Sequence, residues 1–232
     1  MLAGGEENHH GRPQPSEAEQ TTPRVLTILS FVMEKLVARN DQLVVGLSQL
    51  DGLSCRLGKS LNAFHGVRAP SISIPKYLER IYKYTNCSPS CFVVGYVYID
   101  RLVHKHPDSL VVSLNVHRLL VTSVMVAAKM LDDVHYNNAI YARVGGVSNP
   151  ELNRLELELL FLLDFGVTVS SRVFESYCLH LEKEMLWNGA GQEVERAIIM
   201  SSAANDDNDN DNDITETPVE DVPNSSPPQI AD

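Results

Sequence analysis

Between Leu119 and Ala128 the chain reads LLVTSVMVAA, with no charge until Lys129. A helix that is apolar nearly all round has to be surrounded by protein. About ten uncharged residues are too few to span a bilayer. The segment from Asn115 to Leu131 is therefore expected to be a buried central helix capped by Asn115. The neighbouring segments also show helical spacing rather than alternation. In VLTILSFVMEKLVAR, residues 25–39, Val25, Ile28, Leu29, Val32, Leu36 and Val37 share a face, and Pro23 suits the start. In PKYLERIYKYT, 75–85, Tyr77, Leu78, Ile81 and Tyr82 do the same. Ser88-Pro89 reads as N-cap and first turn of the next helix, which Pro107 closes. NNAIYARVGG gives a short helix stopped by Gly145-Gly146.

The fifth helix of this series lies in SNPELNRLELELLFLLDFG, 148–166. Ser148 and Glu151 have capping-box spacing; alternatively Asn149 caps and Pro150 opens the first turn. Gly166 is expected at the position just past its end. SSRVFESYCLHLEKEM, 170–185, is one more amphipathic helix with a serine cap, and GQEVERAIIM adds a turn or two. These readings divide the chain into a disordered segment 1–22, an N-terminal helix and linker 23–70, five helices over 71–168, flanking helices 169–200 and a disordered acidic tail 201–232. The stretch 40–70, with Gly46, Asp51-Gly52, Gly58 and Gly66, supports no assignment.

The 232 residues are 44% hydrophobic and 21% charged, ordinary for a globular protein. The net charge of −11 is concentrated in the tail, which carries about nine acidic residues and no basic one after Ser201. A near-neutral body argues against a nucleic-acid-binding face. No signal peptide and no membrane span are read, so no membrane partner is expected. Cys55, Cys87, Cys91 and Cys178 are expected to be reduced thiols, and the three-residue gap between Cys87 and Cys91 does not suit zinc.

No P-loop, GxGxxG, nucleophile elbow or HExxH occurs, so neither catalytic residues nor a cofactor is expected. Asp132-Asp133 evokes the Mg²⁺ sites of all-helical enzymes, but Val134-His135-Tyr136 supplies no third aspartate. A solvated acidic helix end is the expected role. DNDNDITETPVE, 209–220, has acidic residues at EF-hand positions, but Ile214 replaces the turn glycine and Pro218 interrupts the loop.

Lys129 is the remaining question. A cation in the last turn of a helix favours the dipole, and its stem can lie along the core. Glu156, set among Leu155, Leu157, Leu159 and Leu160, is the natural partner if the two helices meet. Three stretches, YIDRL (98–102), VAAKMLDD (126–133) and NRLELELLFLLDF (153–165), resemble the cyclin box in order and spacing. FHGVRAPSISIPKYLERIYKYTNCSPSCFVVGYVYIDRL narrows the resemblance to the Pho80-like, plant U-type (P-type) cyclins.

The resemblance implies an all-α fold: one cyclin box of five helices around a central buried helix, with flanking helices at either end. It implies a regulatory subunit, not an enzyme, that binds and activates a cyclin-dependent kinase, here a plant A-type kinase, in cell division or nutrient- and phosphate-linked signalling. It places Lys129 and Glu156 at the kinase, with Leu131, Leu152 and Leu155 as the apolar kinase-binding residues around them. It makes Tyr98, Ile99, Asp100 and Arg101 a structural motif. The hydrophobic substrate-docking patch of cell-cycle cyclins is replaced by Pro70-Ser71-Ile72-Ser73-Ile74, and Asp100 lacks an evident arginine partner. The alternative functions are a cyclin-like scaffold in transcription and an Mg²⁺-dependent helical enzyme. Thr217-Pro218 and Ser226-Pro227 have the form of proline-directed phosphorylation sites. No basic import cluster is visible, which leaves both cytoplasm and nucleus open.

Overall fold

The computed structural model describes residues 22–48, 59–134 and 136–186, all within one unit spanning residues 1–189. Thr217, Ser226, Cys55 and the segment 191–200 lie outside the described residues. Every described regular element is helical: α1 Arg24–Ser48, a 3-10 turn Asn62–Phe64, α2 Ile74–Thr85, α3 Pro89–Lys105, α4 Val116–Leu131, α5 Asn138–Gly145, α6 Asn149–Leu162 and α7 at 171–186.

The apolar run of α4 occupies the centre. Every residue from Val116 to Ala128 is buried except Arg118, and the helix touches α2, α3, α5 and α6. The other four box helices, α2, α3, α5 and α6, thus enclose the one whose surface cannot face water. Along α3 the approach to α4 is close. A Cβ added at Gly95 would meet Val124 Cγ2 and Val124 N at 3.2 Å, so a glycine here lets two backbones pack. The buried face of α2 is Ile74, Tyr77, Leu78, Ile81 and Thr85, at helical spacing. α1 and α2 cover the remaining flank, and α7 adds Leu181, Phe174, Tyr177 and Cys178 to the core margin.

Several boundaries differ from the sequence reading. α1 does not stop near Arg39 but continues to Ser48. Asn40 and Asp41 look like a helix end, yet both are used in tertiary bonds. Asn40 Nδ2 donates to Val111 O at 2.9 Å, and Asp41 accepts from the Ser113 amide at 3.1 Å and from its hydroxyl. Asn115 does stand before α4 but does not cap it. Its side chain turns back to accept from Val112 N (2.8 Å) and to donate to Leu110 O (2.9 Å). Ser148, not Asn149, caps α6 by accepting from Glu151 N at 3.2 Å. Glu151 does not complete the capping box, because its carboxylate goes instead to Arg118 at 2.7 Å.

Gly146 ends α5 in the left-handed region (φ 72°). Gly166 has no such role. α6 ends at Leu162, and the left-handed residues after it are Asp164 (φ 49°) and Phe165 (φ 57°). Lys105 Nζ holds that turn by donating to Leu163 O at 3.1 Å and to Asp164 Oδ2 at 2.6 Å.

Candidate functional site

Lys129 sits in the last turn of α4, where the helix leaves the core. Its ammonium donates to Glu156 Oε1 at 2.5 Å, and the side chains are 29% and 17% exposed. The second carboxylate oxygen accepts from Asn138 Nδ2 at 2.6 Å, and Asn138 also donates to Asn153 Oδ1 at 2.8 Å. Three helices therefore converge on one polar cluster: α4 supplies the cation, α6 the anion and α5 the amide that orients it. A charge-assisted pair at the rim of a core keeps its geometry because each partner has few alternatives. Two donor protons of Lys129 are left for an outside acceptor.

Apolar side chains surround the cluster. On α4, Met130 and Leu131 are half-exposed; on α6, Leu157 and Phe161 are 56% and 63% exposed. Phe165 stacks edge-on against Phe161, with ring centroids 5.3 Å apart. Leu131 is thus exposed at the surface. Leu152 and Leu155 are not: both are fully buried, on the side of α6 facing α4 and α5. Both belong to the hydrophobic core. The pattern of α6 is apolar round most of its circumference, so spacing alone does not say which leucines turn inward.

Tyr98, Asp100 and Arg101 act together as a clamp on the chain that leaves α6. Tyr98 OH donates to Val167 O at 2.7 Å, and Arg101 Nη1 donates to Gly166 O at 2.7 Å and Thr168 O at 3.1 Å. Burial pushes the Tyr98 phenol up to about 12, so it stays a donor. Asp100 accepts from Tyr177 OH on α7 at 2.6 Å, which answers the missing arginine. Burial first, and then that hydrogen bond to an anion, hold the Tyr177 phenol well above its ordinary range.

Asp132 is no solvated helix end. Its Oδ2 accepts from the Ser88 amide at 3.1 Å and from the Cys91 thiol at 3.3 Å. An anion that opposes the dipole of α4 thereby serves the N-terminus of α3, where the Ser88 side chain makes no cap. Asp133 is exposed. Cys87, Cys91 and Cys178 are free thiols. Among the described residues no group of three metal-ligating side chains converges, and no helix is long and apolar enough to cross a membrane.

A family model described as Cyclin matches residues 23–167. Cyclin-U1-1 of Arabidopsis thaliana is 77% identical over 175 residues, covering 75% of this chain and 80% of that protein. Cyclin-U4-1 of the same plant is 52% identical, over 66% of this chain and 78% of the relative. Cyclin-P3-1 of Oryza sativa subsp. japonica is 51% identical, over 71% and 66%. The helical box around α4 and the match across it agree: this chain belongs to the cyclin family, in its plant U- and P-type, Pho80-like group, and is a regulatory subunit rather than an enzyme.

Proposed function

We propose that this cyclin binds a cyclin-dependent kinase, of the plant A-type, through the edge formed by α4 and α6, and so activates it in cell division or nutrient-linked signalling. The observation that carries the reading is the Lys129–Glu156–Asn138 cluster, fixed by hydrogen bonds and bordered by exposed Leu131, Leu157 and Phe161. A kinase needs its β3 lysine paired to the glutamate of its mobile αC helix before ATP is aligned. A rigid helical surface that binds only that arrangement shifts the equilibrium by its differential affinity. Lys129 offers protons to backbone carbonyls of the partner, and the apolar border provides most of the interface energy.

The test is co-purification and kinase activation with wild type, Lys129→Ala and Glu156→Ala. Truncating one member of a desolvated pair costs about 2 to 5 kcal/mol, so association should fall at least 30-fold. Unchanged association in both variants would remove the site assignment.

A further inference from the structure

The end of α4 remote from Lys129 borders a cleft of about 350 Å³ with a different chemistry. Its walls come from the strap at residues 66–72, from α2, from the first turn of α4 and from the α5–α6 turn. The charged side chains lining it are all arginines: Arg68, Arg80 and Arg118. A neighbouring recess, lined by Arg80 and Arg143, continues the same sign of charge along α2 and α5. In a body that is near neutral outside the acidic tail, such a concentration is a local feature rather than a general one.

Arg118 is held in place, while Arg68 and Arg80 stand exposed at the rim. Arg118 is anchored by Glu151 at 2.7 Å, a carboxylate that does not line the cleft. A Cβ at Gly66 would stand 2.9 Å from Arg118 Nη1 and 3.0 Å from Arg68 O, so the strap closes directly over that guanidinium. Arg80 and Arg118 both act on the Tyr77 phenol. Its burial holds it far above its ordinary range, and the two cations oppose that. Tyr77 OH donates to Gly145 O at 3.0 Å, which fixes the floor. Arg68 and Arg80 are exposed, and Arg80 makes one long bond, 3.4 Å, to Arg143 O. The first turn of α4 has no side-chain cap, so its amide dipoles add to the positive field.

We propose that this cleft is a docking site for a phosphate monoester borne by a partner protein, a phosphoserine or phosphothreonine peptide. Two or three guanidinium forks beside an uncapped helix start match a compact dianion with three acceptor oxygens better than a single carboxylate. Val67 and Leu114, both exposed at the rim, offer apolar contact to the flanking peptide, which a free ion would not use. Arginine clusters are the general chemistry by which phosphorylated motifs are read. Lys129 is eleven residues beyond Arg118 along α4, about 16 Å away, so a peptide held here leaves the α4–α6 edge open.

The test uses the full chain without kinase, so its result stands apart from the activation reading. An immobilised degenerate phosphoserine peptide library is compared with its dephosphorylated twin, with inorganic phosphate as competitor and a duplex oligonucleotide as a control polyanion. Retention should require the phosphate and be competed by inorganic phosphate. It should fall roughly tenfold in Arg68→Gln/Arg80→Gln, whose two exposed positions leave thermal stability unchanged. Arg118→Gln should lose at least as much. Equal retention of the dephosphorylated library would overturn the proposal. So would retention indifferent to the arginine substitutions, preference for the oligonucleotide, or binding of free phosphate with no retention of peptide.

Discussion

Asn138 is the most informative residue to perturb, because its role depends on three helices meeting. Its amide donates to Glu156 Oε2 at 2.6 Å and to Asn153 Oδ1 at 2.8 Å, while Lys129 occupies Oε1. A hydrogen bond to a charged group contributes about 1.5 to 3 kcal/mol when water is excluded. Glu156 keeps some solvent contact and the Asn153 bond is exposed, so water recovers part of that. Asn138→Ala should therefore destabilise the free protein by about 1 kcal/mol. Asn138→Asp should cost more, about 2 kcal/mol at neutral pH, because it sets a second anion against Glu156. Its favourable place in the first turn of α5 returns only about 0.3 to 1 kcal/mol.

The assay is urea denaturation at constant slope, with a double-mutant cycle against Lys129→Met. Coupling of about 0.5 to 1 kcal/mol is expected, since both act on one carboxylate. Kinase association should weaken about fivefold in Asn138→Ala, the equivalent of about 1 kcal/mol. An Asn138→Asp protein as stable as wild type, or more stable than Asn138→Ala, would show that the amide does not hold Glu156.

Three other outcomes follow from the same structure. Asp132→Ala should lower stability by about 1 kcal/mol through loss of the contact at the start of α3, whereas Asp133→Ala should stay within about 0.5 kcal/mol; equal thermal shifts would contradict this. Gly95→Ala gains about 1 kcal/mol of helix propensity but forces a Cβ against backbone, an overpacking cost of about 1 to 3 kcal/mol, so the net effect is a lower melting temperature; a higher one would show slack at the α3–α4 crossing. Burial lowers the pKa of His117 and of His65, so the folded protein binds fewer protons than the unfolded chain. Their contribution is intact above the ordinary value near 6.5 and is lost as pH falls below it, so His117→Gln should flatten the stability profile in that range.

Much of the candidate site was legible in residue order. The cation after an uncharged run and a carboxylate set among leucines marked Lys129 and Glu156 as a pair, and the family resemblance implied their role. Asn138 carried no comparable signal. In sequence it is one of two asparagines before a short helix, and only its distance to Glu156 distinguishes it from Asn137, which caps α5 by accepting from Ile140 N at 3.3 Å. Arg118 likewise looks like a solvated charge interrupting an apolar helix until the strap at Gly66 is seen above it.

Local physics set the elements. The period of apolar residues along α2, the unbroken apolar surface of α4, the glycine after α5 and the serine before α6 each act within one or two turns, where the chain itself provides the partners. Tertiary structure decided what the polar residues do. Asn40, Asp41 and Asp132 all have the composition of helix ends, yet each satisfies a backbone group or side chain far along the chain. It also decided which leucines of α6 are buried and which are offered, because a helix apolar on most sides has no inward face until neighbours choose one. A short polar side chain bonds whichever unpaired donor or acceptor the fold brings within reach, and that identity is a property of assembled helices rather than of neighbouring residues.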